Sequence, residues 1–452
     1  MTIPCRKRKR CCATFLILIL ASSAIGQNIV TTIKGASTLL RNARLLNAGD
    51  TLFFSYSQWD AGVGSMKFFG VHIFPDGNSE NFSIDGVRAP GWCGFQATSE
   101  GYYHYLLTST SKKEHLIQTY FTLNGGTTRR ILSGQIPIEG EVFGFESKNG
   151  LTILTRVAAG NSVRLYRISR SKLTSILNYA MPASLEKAAG DDFQLGSKKT
   201  GWPYEAKERN KVYLDAQKLF LVIDTSPLTT MVSYESPDES KTVTITNSPS
   251  IRGSSFLAGS LLFQTSATEK DIKVRVYKKD GALVSEGVLE LKPGFMKDDR
   301  LYVRLAGEKA TFGQEGVGSL MANFWKRDPT IVAQQMPDSS YVMSIGAFKT
   351  LEPKTGNFSG NDPVAALAMY ALTTSYSRDR SASRYFYCTF RDSKVHFAIS
   401  GEGVCKQIDD FELAGYKKGI SVKDFDVIDP SKAFMAIINK KTKSAQILRF
   451  GN

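Results

Sequence analysis

Short apolar runs alternate with polar turns along most of this chain, and the spacing predicts strands. Phe95-Gln96-Ala97 leads through Thr98-Ser99-Glu100-Gly101 into Tyr102-Tyr103-His104-Tyr105-Leu106-Leu107. Phe145-Glu146-Ser147 leads through Lys148-Asn149-Gly150 into Leu151-Thr152-Ile153-Leu154-Thr155, starting 50 residues later. Leu45-Leu46 opens a similar unit, 50 residues before Phe95, that turns at Asn47–Asp50 into Leu52–Tyr56. Each unit is a short strand, a polar turn and a longer strand. A third strand follows at Phe68–Phe74, Leu116–Phe121 and Val163–Ile168, with the alternation expected of sheets packed face to face. Turns such as Pro75-Asp76-Gly77-Asn78 close these strands, because glycine supplies the positive φ of a tight hairpin.

A strand-built period of about 40–50 residues resembles the β-propeller superfamily. The resemblance implies an all-β chain of about seven four-stranded blades, with six or eight as neighbouring counts. A pair of β-sandwiches is the competing fold, but it requires no fixed offset. Further units start near Tyr213 and Phe256, and Phe425–Phe450 forms the last. The early strand Ile29–Ile33 is expected to complete that last blade, so that strands from both termini close the ring. Residues 184–210 interrupt the pattern and read as a loop insertion within a single domain over 27–452. Between 296 and 415 the period blurs. Leu301–Val303, Tyr341–Met343, Val364–Leu372 and Tyr385–Phe397 look like strands that fall into no clear blade.

The first 26 residues read as an address. Arg6-Lys7-Arg8-Lys9-Arg10 is a basic head, Ala13–Ala21 an apolar core, and Ala24-Ile25-Gly26 a small-residue cleavage site. This is the pattern of a secretory signal peptide cut before Gln27. The apolar run is shorter than the roughly 20 residues a span needs, so no transmembrane segment is expected after cleavage. The chain is read as secreted. An uncleaved anchor is the alternative.

Cysteine use changes that picture little. Cleavage leaves Cys93, Cys388 and Cys405. Cys388 and Cys405 flank a candidate hairpin with Phe390 in one arm and Val395-His396-Phe397 in the other, and a bridge between them is expected, with Cys93 free. Asn81-Phe82-Ser83 and Asn357-Phe358-Ser359 are glycosylation sequons at Asn81 and Asn357 for a eukaryotic secretory route.

The chain carries a formal charge of +15, five units of it in Arg6–Arg10. A basic surface suits anionic partners. No Gly-x-Ser-x-Gly elbow, His-Glu-x-x-His helix, Cys-x-x-Cys pair or phosphate-binding loop is present. The paired acids Asp191-Asp192, Asp298-Asp299 and Asp409-Asp410 read as solvated, and with four histidines no metal or cofactor is expected. Ser57–Gly62 resembles the Asp-box turn of sialidase-like propellers in residue type, but differs in spacing and is not repeated, so it reads as a loop.

Topology is what orders the remaining candidates. In a propeller blade the connection between second and third strands lies on one face of the disc. The strand pattern places Gln58–Met66, Ser109–His115, Ala158–Ser162, Asp224–Thr230, Thr265–Asp271 and Asn439–Ser444 there. These connections carry Trp59, Lys112, Lys113, Lys270, Lys440, Lys441 and Lys443. Loops on a rigid scaffold are where binding usually sits. The expectation is a monomeric, non-enzymatic propeller that engages an extracellular protein or an anionic glycan, not nucleic acid, through this face. A secreted propeller hydrolase acting on a glycan or lactone is the alternative.

Overall fold

The computed structural model describes the strands and most turns between residues 27 and 451. Not described are 1–26, 35–40, 131–135, 186–192, 197–207, 247–252, 291–300, 306–310, 316–327, 350–380, 399–406, 412–419 and shorter stretches, mostly at loop tips.

Strand β1 (Gln27–Lys34) does not join the blade next to it in sequence. The first blade is β2 (Arg41–Ala48), β3 (Thr51–Asp60), β4 (Ser65–Ile73) and β5 (Ser79–Val87), antiparallel and in chain order. The second is β6 (Gly91–Ala97), β7 (Gly101–Ser109) and β8 (Glu114–Leu123), with an outer strand in two pieces, β9 (Thr128–Arg130) and β10 (Ile136–Glu139). The third is β11 (Glu141–Ser147), β12 (Leu151–Val157), β13 (Ser162–Ser169) and β14 (Lys172–Ala180).

The fourth sheet begins with β15 (Phe193–Leu195), which runs parallel to β16 (Asn210–Asp215); β17 (Lys218–Asp224), β18 (Leu228–Ser236) and β19 (Glu239–Thr246) follow. The fifth is β20 (Gly253–Ala258), β21 (Leu261–Ala267), β22 (Asp271–Lys278) and β23 (Leu283–Glu290). A separate hairpin, β24 (Leu301–Leu305) and β25 (Thr311–Glu315), precedes the sixth blade. That blade is β26 (Asp328–Gln335), β27 (Tyr341–Lys349), β28 (Ser381–Arg391) and β29 (Lys394–Ala398). The seventh is β30 (Ile420–Asp429), β31 (Lys432–Asn439) and β32 (Ser444–Gly451), and its outer strand is β1. Gln27 pairs with Phe450 and Lys34 with Ser444, so the two ends of the chain share one sheet. Seven such meanders, the last closed by the amino-terminal strand, make a β-propeller.

Two compact units contain these blades: residues 1–179 with 402–452, and residues 180–401. In the first unit the inner strands of blades seven, one, two and three are neighbours in that order: β30 beside β2, β2 beside β6, β6 beside β11. The seams between them are the core. Leu45, Phe54, Tyr56 and Val71 of the first blade pack against Phe434, Ala436 and Ile447 of the seventh. Tyr105 and Ile117 of the second pack against Ile153, Tyr166 and Ile168 of the third. Each strand alternates between two such seams, so both faces of a blade are apolar. Burial fades outward: β12 is almost wholly buried and β14, at the edge of the same blade, almost wholly exposed. In the second unit one core joins the fourth, fifth and sixth blades through Tyr213, Phe256, Phe263 and Met343, among others.

Two expectations change in detail. The 184–210 insertion is not all loop. Its residues Phe193–Leu195 add a parallel strand to the inner edge of β16, Phe193 is buried, and Gly196 N–H donates to the Val212 carbonyl at 2.7 Å. The blurred region hides a regular blade between long excursions. Residues 291–327 precede it and 350–380 separate β27 from β28, which defeats a fixed period. The expected strand at Val364–Leu372 lies outside the described residues. Tyr385–Phe397 is the β28–β29 hairpin, with Asp392 and Ser393 both at positive φ (51° and 58°) in a two-residue turn that suits the sheet twist.

Candidate functional site

The strand register fixes the six connections singled out above. The innermost pairs of these hairpins are Asp60 with Ser65, Ser109 with His115, Val157 with Ser162, Asp224 with Thr229, Ala267 with Ile272, and Asn439 with Ser444. Every one joins the second strand of its blade to the third.

Trp59 is in strand rather than loop. β3 runs on to Asp60, and Trp59 pairs with Met66 one step from the tip. The segment resembling an Asp-box turn is therefore largely extended. Lys112 and Lys113 belong to the segment joining β7 to β8, and Lys440, Lys441 and Lys443 to that joining β31 to β32; all five lie outside the described residues. The frame of the latter hairpin is described. Thr442 N–H donates to Asn439 Oδ1 at 3.3 Å, and the Thr442 and Ser444 hydroxyls are 2.7 Å apart. Blades seven, one and two are consecutive, so the Lys440–Lys443 connection, Trp59 and the Lys112–Lys113 connection belong to three successive blades of the first unit.

Lys270 belongs to the second unit and is exposed. Its turn is tied locally: Thr268 Oγ1 donates to Asp271 Oδ1 at 2.6 Å and accepts from the Lys270 and Asp271 backbone N–H groups at 3.2 and 3.1 Å. A corresponding knot stands at the third blade's tip. Arg156 is buried and donates to the Ser162 carbonyl and to Asn161 Oδ1. These connections are braced on the strands beneath them.

The expected Cys388–Cys405 bridge is not formed at its described end. Cys388 lies within β28, in register with Phe397, rather than beyond the hairpin. Its thiol is free and fully buried in the second unit's core, and burial pushes its ionisation well up. Cys405 and Asn357 lie outside the described residues. Asn81 is exposed on β5, as is Ser83, while Phe82 between them turns into the seam. The paired acids fall outside the described residues. Among the described residues no cluster of three or more His, Cys, Asp or Glu is placed to hold a metal, and no helix is long and apolar enough to cross a membrane.

Two buried polar groups escaped the sequence reading. In the second unit, Lys211 and Asp224 form an ion pair at 3.2 Å with both side chains buried. Lys211 Nζ also donates to Ser254 Oγ, and Asp224 accepts from the Thr229 hydroxyl and from both the N–H and hydroxyl of Ser255. In the first unit, His72 and His104 share the seam between the first two blades. No local motif marks either pair.

No protein-family model matches the chain, and no curated protein matches it. Among solved structures, the β-propeller domain of the Trilobed protease from Pyrococcus furiosus is 8% identical over 92% of this chain and 95% of its own, with a TM-score of 0.40. The WD40 domain of SCAP from fission yeast is 9% identical over 94% and 97%, with a TM-score of 0.36. A subtype N11 neuraminidase-like protein of A/flat-faced bat/Peru is 10% identical over 72% and 89%, with a TM-score of 0.30. At these values none of their activities transfers to this chain.

Proposed function

We propose that this chain is a secreted, monomeric β-propeller that binds an extracellular protein or acidic glycan without catalysis, through the connections between second and third strands. The observation that carries the reading is topological. Trp59, Lys112, Lys113, Lys440, Lys441 and Lys443 all fall in or beside such connections, on three consecutive blades that bring together both ends of the chain. Antiparallel blades of one handedness turn these connections to one face. Lysines and an indole on the connections of neighbouring blades suit sulfated or carboxylated sugars, which offer charge and an apolar ring face. Export rests on the basic head and apolar core of residues 1–26, and glycosylation on Asn81 and Asn357.

Retention of the full chain on a sulfated polysaccharide, with neutral dextran as control, tests this. Binding is expected to weaken sharply between 0.1 M and 1 M salt, as the Debye length falls from about 10 to about 3 Å. Replacing Lys440, Lys441 and Lys443 together by Glu should abolish retention and leave folding within about 0.5 kcal/mol. Equal retention of this variant and the parent would refute the assignment.

A further inference from the structure

His72 on β4 and His104 on β7 meet across the seam between the first and second blades. Both are fully buried, and their ring centroids are 5.1 Å apart. None of their four ring nitrogens has a hydrogen-bond partner. The surroundings are flat and apolar. Tyr102 stacks on His72 at 3.8 Å, Phe53 lies within 5.2 Å of both imidazoles, and Phe82 lies 4.3 Å from His104. A neutral imidazole fits there as one more ring. An imidazolium would be a desolvated cation beside a second imidazole.

Besides the stacked Tyr102, charged and titratable groups on the adjoining strands stand in register with this seam. Glu80 on β5 is half-buried and in register with His72. Tyr120 on β8 is in register with His104, and Arg130 on β9 with Tyr120. Arg44 on β2 is in register with Ser55, which faces the same seam. Burial holds His72 down to about 3. Burial, and then the neighbouring His72, hold His104 well below its usual range.

We propose that His72 and His104 make this seam an acid-sensitive joint, closed while both imidazoles are neutral and opened when both are protonated. The sign follows from linkage. The open seam returns each histidine to its ordinary value near 6.5, so protons bind the open form preferentially. Closure is unopposed above about pH 6.5 and is lost progressively as pH falls from there towards the closed-state values. With closed-state values this low, the opening constant rises roughly 30-fold per histidine between pH 7.5 and 5, and on the order of 1,000-fold for the pair. His72 is the last residue but one of β4 and His104 lies near the start of β7, so the joint is at the opposite end of these strands from Trp59 and the Asp60–Ser65 tip.

Hydrogen–deuterium exchange of the full chain, corrected for intrinsic pH dependence, tests this. Peptides from β4 and β7 are expected to open increasingly from pH 7.5 to 5, with a slope approaching two decades per pH unit. Peptides from β17 and β21 serve as the reference. His72→Phe or His104→Phe should each halve the slope, and the double variant should remove it. No excess opening over the reference, or a slope that survives in the double variant, overturns the proposal. Exchange at the imidazole C2 position in the unaltered chain provides a measurement independent of the variants. Titration midpoints well below 6 support the joint, and midpoints near 6.5 overturn it.

Discussion

Cys93 and Phe143 hold the same place in successive blades: each is the extra residue of a bulge in its inner strand. Trp92 pairs with Leu106 and Gly94 with Tyr105, so one residue on β7 is passed by two on β6; Val142 and Gly144 do the same against Thr155 and Leu154. The two bulged residues are 50 positions apart. β2 carries its register shift one period earlier, between Arg41 and Arg44, and β30 carries one between Val422 and Asp424. A bulge bends and twists a strand, and bulges tend to be retained as features of a fold. The repeat therefore extends to backbone irregularities and is not only a rhythm of apolar residues.

The buried ion pair should respond unequally to removal of its two partners. Asp224→Ala leaves the Lys211 ammonium buried with only a serine hydroxyl. It is expected to cost about 3–5 kcal/mol, the usual penalty for orphaning a buried charge. Lys211→Met leaves the Asp224 carboxylate with its Thr229 and Ser255 donors and should cost less. Denaturant unfolding of the full chain measures both, and equal losses would contradict this account of the network.

Gly101 opens β7 at a place where a side chain has no room. A Cβ there would lie 2.1 Å from the Thr122 carbonyl oxygen, which is backbone, and φ is +157°. Gly101→Ala is expected to destabilise by about 1–3 kcal/mol, as overpacking does. A thermal melt indistinguishable from the parent's would show that the β7–β8 pairing yields easily at this point.

Cys388 should be chemically silent in the folded chain. Its thiol is fully buried, and burial disfavours the thiolate that alkylating reagents need. Iodoacetamide at pH 8 is expected to leave Cys388 unmodified until denaturant is added, as read by peptide mass spectrometry. Rapid modification of the native chain would place it elsewhere than the core.

The proposal of export carries a prediction about processing. Material secreted from a eukaryotic host should begin at Gln27 and carry a glycan at Asn81, whose side chain and that of Ser83 are exposed on β5. Amino-terminal sequencing reads the first point. Loss of one glycan's mass in Asn81→Gln reads the second. A secreted chain that retains Arg6–Arg10 would show that the apolar run is not cleaved.

Much of the fold was legible in the sequence because it rests on local physics. Alternation at Ile272–Tyr277 reports a strand between two packed faces, and the Asp280-Gly281 pair reports the turn that comes next. The six connections between second and third strands fell where these signals placed them. Legibility failed where the chain left the period. The excursion of residues 350–380 separates two strands that pair directly, Tyr341 with Phe390 and Lys349 with Ser381, and nothing local encodes a pairing across it. Cys388 was misplaced for a related reason. A cysteine near a turn looks the same whether it flanks the hairpin or fills a core position within it.

By itself, then, the sequence determined the strand content, the 50-residue period of the first units, a count of about seven blades with six or eight left open, and the return of the first strand to the last sheet. Each follows from spacing and residue type along the chain. The structure settled the count at seven. Only the tertiary structure decided that His72 faces His104 without a partner for any ring nitrogen, and that Lys211 and Asp224 are buried together with Ser254. A polar residue at an alternate strand position reads identically whether its face meets solvent or the next blade. Which of the two it meets depends on how sheets stack, and that stacking is set by contacts among residues far apart in the chain.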